Sequence, residues 1–138
     1  MNETVRQIKQ QFFAFRNGIL ADALRKQGPY EIIFGLQIPQ IAEIARSLTP
    51  SMELARTLWE DSKVRESRLL ATYLFPIEEI DLEKALSLSS EANTVEEADM
   101  LAFRLLKRLP FASSLLEAME SREDVSDYMK QTLKNHLS

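Results

Sequence analysis

At 138 residues the chain is long enough to bury one hydrophobic core and short for two, so a single domain over 1–138 is expected. An apolar fraction of 45% and a charged fraction of 28%, with three glycines and five prolines, leave little room for linkers or disorder. Without cysteine there is no disulfide or thiolate metal site, one histidine cannot make a zinc site, and the net charge of -4 weighs against a broad phosphate-binding surface; no metal or cofactor is expected.

The start, MNETVRQIKQ, carries charges where a signal peptide needs an apolar core, and no run approaches the ~18 apolar residues of a membrane span. A cytoplasmic protein without a membrane partner is expected. Helical periodicity dominates, and no segment alternates apolar and polar residues as a half-buried strand would. The N-terminal segment reads as helix to about Phe15, with Asn17-Gly18 a candidate break before Ile19 to Lys26, and Gly28-Pro29 a firm end. Ile41, Ile44, Ala45 and Leu48 fall at i, i+3, i+4 and i+7. Thr49-Pro50 stops that helix, and Pro50 in a first-turn position starts the next, which carries Leu54, Leu58 and Trp59.

A helix from Val64 to Phe75 buries Leu69, Leu70, Tyr73 and Leu74 and closes at Pro76. Asp81 caps a helix through Leu88, and an unusually apolar helix runs from Val95 to Leu109, ended by Pro110. Phe111–Met119 and Asp124–Leu137 complete the series. Helix pairs therefore begin near Ile38, Val64, Val95 and Glu123, about 26 to 31 residues apart. The expected fold is all-α, a HEAT-like antiparallel helix-pair stack (an α-α superhelix) of about seven or eight helices, with a compact antiparallel bundle as the competing architecture.

Charge is unevenly spread. From Glu78 to Asp99 there are eight acidic residues against Lys84 alone, a region DNA would have to avoid. Arg6, Lys9, Arg16, Arg25, Lys26 and Arg46 give the first third a basic balance, read as solvated helix faces in preference to a weak nucleic-acid footprint. Glu78 with Glu79, and Glu96 with Glu97, point in different directions on a helix and read as solvated acidic faces. Lys107 and Arg108 suit the C-terminal end of a helix dipole. His136 falls in a last turn and is assigned no chemistry. No Ser-His-Asp or Cys-His arrangement, phosphate-cradling glycine loop or HExxH is present.

Several short motifs recur in order: Phe15-Arg16-Asn17-Gly18, then Phe34-Gly35-Leu36-Gln37-Ile38-Pro39-Gln40-Ile41, then Leu58-Trp59 followed by Val64-Arg65-Glu66-Ser67-Arg68-Leu69-Leu70-Ala71, and Ala98-Asp99-Met100-Leu101. Together they resemble the DNA alkylation repair family, HEAT-like solenoids whose founding members are glycosylases that release N3- and N7-alkylated purines. The resemblance places the family's catalytic carboxylate at Asp99. It also implies two tryptophans and an arginine around a cationic nucleotide. Here Val95 stands one turn before Asp99 where a tryptophan is expected, Trp59 lies in a different helix, and the later DNA-contacting helices have no counterpart before Ser138. The implied protein is a divergent member that binds duplex DNA weakly, its glycosylase activity weak or lost. The alternative is a non-catalytic helical scaffold for a protein partner.

Arg65 and Arg68 either face a groove and bind phosphates or pack back and pair with a carboxylate, and the second is favoured. Asp99 precedes Phe103 and Leu106 by four and seven positions, which predicts a partly buried boundary and a structural ion pair with Arg65 or Arg68 in preference to catalysis. Trp59 and Tyr30 are the aromatic candidates for lining the groove; core packing is the favoured role for both.

Overall fold

The structure, a computed structural model, describes residues 2–26 and 28–138. Among the described residues the fold is all-α: nine α-helices and two 3-10 turns, with one isolated parallel bridge, Ile32 to Val64, as the only extended pairing. The count exceeds the expected seven or eight because Asn17 makes the break after the first helix complete. Its backbone is extended and its Oδ1 accepts from the backbone N–H groups of Ile19 and Leu20, each at 3.1 Å, so a separate helix begins at Gly18. No helix among the described residues is long and apolar enough to cross a membrane. The chain divides into two compact units, Met1–Phe75 and Pro76–Ser138.

The first unit contains α1 (Asn2–Ala14), α2 (Gly18–Arg25), α3 (Ile38–Arg46), α4 (Met52–Glu60) and α5 (Arg65–Ala71). Ile8 and Phe12 of α1, Ile41 and Ile44 of α3, Leu58 and Trp59 of α4, and Leu69 and Leu70 of α5 form its buried core. Each such side chain contributes on the order of 1.5–3 kcal/mol by leaving water. Pro50 lies outside the helix, before the cap instead of in the first turn: Ser51 caps α4, its Oγ accepting from Leu54 N–H at 3.0 Å. Helix α5 is also shorter than the expected Val64–Phe75. Beyond Ala71 the bonds tighten to i+3, from Thr72 to Leu69, Tyr73 to Leu70 and Leu74 to Ala71, which turns the chain before Pro76.

The second unit contains α6 (Leu82–Glu91), α7 (Val95–Arg104), α8 (Ala112–Glu120) and α9 (Asp127–Leu137), with 3-10 turns at Ile77–Glu79 and Leu106–Arg108. Asp81, Thr94 and Ser126 cap α6, α7 and α9 with side-chain oxygens. The expected helix from Val95 to Leu109 breaks at Leu105, whose φ of -127° and ψ of -64° leave the helical region; Leu109 is extended, as the residue before Pro110 must be. The break turns Leu105 and Leu106 into a core shared with Leu101, Leu115, Met119, Met129 and Leu133.

Candidate functional site

The two most distinctive motifs meet in the first unit. The loop from Tyr30 to Gln37 runs past the start of α5, where the Glu66 carboxylate accepts backbone N–H bonds from Phe34 at 3.0 Å, Gly35 at 3.0 Å and Leu36 at 3.3 Å. One Arg65 guanidinium nitrogen lies 2.8 Å from both Glu66 Oε2 and the Leu36 carbonyl. A fully buried carboxylate is thus surrounded by three converging backbone donors and a cation, the arrangement that makes a buried charge tolerable. Gly35 is required in this loop. Its φ is +88°, and a Cβ there would stand 2.2 Å from the Asn17 carbonyl oxygen.

Trp59 and Arg68 complete this frame. The Arg68 guanidinium lies over the indole at 4.1 Å, and Phe75 meets the same ring edge-on at 6.2 Å. Ser67 donates to Asp61 at 2.8 Å, and Lys9 of α1 reaches the same oxygen at 3.0 Å. Tyr30 closes a small cluster with Ala21, Leu24 and Ile33. The four candidates for a DNA or groove contact are therefore interior: Tyr30 is 8% exposed, Trp59 2%, Arg65 3% and Arg68 6%.

Asp99 occupies a different setting from the one its spacing predicts. Its side chain is 62% exposed, and its partner is His136 of α9, with Nε2 2.9 Å from Oδ1; the carboxylate beside Arg65 is its sequence neighbour, Glu66. The outward face of α7 explains the exposure. Val95, Asp99 and Phe103 recur every four residues along it, while Ala98, Leu101 and Ala102 point inward. His136 packs on Phe103 with ring centres 5.9 Å apart, and Lys107 Nζ lies 4.1 Å from the centre of the Phe103 ring. The result is a polar clasp between α7 and α9. Among the described residues no three His, Cys, Asp or Glu side chains converge as metal ligands.

Glu97 is a further departure, because it is fully buried instead of part of a solvated acidic face. It follows the Thr94 cap by three residues, and its carboxylate turns back to accept from Asn93 N–H at 2.9 Å. The signal was present as Thr-x-x-Glu ahead of an apolar run. Elsewhere in this unit Arg122 grips Asp124 at 2.9 and 2.7 Å; that hydrogen bond holds the Asp124 carboxyl below its ordinary value and raises the guanidinium.

A concavity lies in the first unit, at the corner between α1 and α2. It is an open hollow of about 700 Å³, lined by Phe15 and Ile19 together with Arg16, Asn17, Gln37 and Gln40. Ile19 is 87% exposed, and Phe13 and Phe15 are also exposed, an unusual concentration of large apolar surface. No protein-family model, curated protein or solved structure matches the chain.

Proposed function

We propose that the chain is a non-catalytic helical recognition module, similar in build to the DNA alkylation repair proteins, that engages a protein partner. The observation that carries this reading is the position of Arg65, Arg68 and Trp59 inside the first unit, where they support the loop from Tyr30 to Gln37. Groups so enclosed have little surface for phosphate or for a cationic base. The exposed apolar corner of α1 and α2 offers instead the kind of surface that protein partners cover.

One observation favours the enzymatic alternative: Asp99 is accessible and hydrogen-bonded to His136, an orientation a carboxylate could use beside a scissile bond. Val95 stands one turn before it, with no aromatic face for the cation. Incubating the protein with methylated duplex DNA, and measuring both base release and DNA retention from ~50 mM salt upward, separates the readings. The module reading expects neither release nor salt-dependent retention. Base release abolished by Asp99→Asn, or retention that falls steeply with salt, would contradict it.

A further inference from the structure

Three of the five exposed arginines of the first unit pair along their own helices, and Arg16 and Arg56 do not. Arg6 pairs with Glu3, Arg25 with Asp22 and Arg46 with Glu43, each three residues away on its own helix. Arg16 has no carboxylate partner among the described residues: its guanidinium lies 3.8 Å from the centre of the Phe13 ring and donates to the Phe13 carbonyl at 2.8 Å. It lines the hollow at the α1–α2 corner, where Asp22, the one acidic lining residue, is already neutralised by Arg25 at 2.7 Å. Two side-chain amides face the same space with their oxygens occupied. Asn17 Oδ1 caps α2, and Gln40 Oε1 accepts from Gln37 N–H at 2.9 Å, which leaves both NH2 groups as donors.

We infer that this hollow binds an extended segment of a partner protein that presents a carboxylate next to an apolar side chain. The carboxylate meets Arg16, main-chain carbonyls meet the amides of Asn17 and Gln40, and the apolar side chain is covered by Phe15 and Ile19. Charge complementarity selects the sign of the segment, because Arg16 is the one charged lining group without an oppositely charged partner among the described residues. A volume of about 700 Å³ lies within the usual range of formed binding sites. An anionic lipid surface fits less well: headgroup recognition draws on clusters of roughly 4–8 Lys or Arg, whereas Arg16 is the lone uncommitted cation lining the hollow.

This inference rests on the protein-binding reading and is tested by a measurement that does not involve DNA. The isotope-labelled full chain is titrated with acetyl-Leu-Glu-Phe-Glu-amide, with acetyl-Leu-Lys-Phe-Lys-amide, and with phosphatidylcholine vesicles containing phosphatidylserine, while backbone amide resonances are followed. The acidic peptide should shift the amides of residues 15–22 and 37–40 and lose affinity as salt rises. Arg16→Glu should weaken it by roughly tenfold or more. Gly18→Leu should block it sterically in a folded protein, since a Cβ at Gly18 meets nothing within 4 Å. Equal response to both peptides, shifts confined to other residues, no shift at all, or loss of these resonances on the vesicles would overturn the inference. Failure of the protein-binding reading itself would appear separately, as DNA retention or base release.

Discussion

Gly35 and Gly18 show how differently one residue type can act within twenty positions. At Gly35 a Cβ would press on backbone atoms, the Asn17 carbonyl oxygen at 2.2 Å and the Ala21 nitrogen at 2.9 Å, with φ already at +88°. At Gly18 the same atom enters open space in the first turn of α2. Gly35→Ala should therefore cost about 2 kcal/mol or more through left-handed strain and forced separation of backbone segments. Gly18→Ala should be neutral or stabilise by about 0.4–1 kcal/mol by restricting the unfolded chain. Chemical denaturation of the two variants measures the contrast, and equal effects would contradict this account of the loop. The sequence offered the Phe34-Gly35-Leu36 motif but not the reason for it, because the Asn17 carbonyl that excludes a side chain lies eighteen positions earlier.

At the scale of elements, helix ends were legible where a cap residue signalled them locally. Asp81, which caps α6, is of this kind. Ends fixed by tertiary demand were not: α5 stops at Ala71, and α7 breaks at Leu105 to turn Leu106 into the core. The Asp99 partner was illegible for a related reason. Helical spacing from Phe103 assigned Asp99 to a buried boundary, yet Phe103 is itself turned outward and held by His136, thirty-three residues later. This makes the clasp between α7 and α9 a surface interaction. Asp99→Asn should unfold with less than about 1 kcal/mol of lost stability, in line with exposed pairs generally. A loss of several kcal/mol in thermal or urea unfolding would show that Asp99 carries a buried charge interaction.

Across the whole molecule, charge and burial point the same way. The first unit holds ten Lys and Arg against eight Asp and Glu, and the second seven against thirteen. Two of the first unit's ten cations, Arg65 and Arg68, are enclosed within the fold. The sequence favours Arg65 and Arg68 packing back on a carboxylate, but it assigns Asp99 to that role; that Glu66 is the buried partner of Arg65 cannot be anticipated without the loop that satisfies it. Arg65, Glu66 and Arg68 are internal framework, and native-state hydrogen exchange provides the test. The amides of Phe34, Gly35 and Leu36 lie in irregular backbone, yet they donate to the buried Glu66 carboxylate. They should exchange as slowly as the amides of α5, opening only when that unit unfolds. Exchange at the rate of an open surface loop, with α5 still protected, would contradict the account.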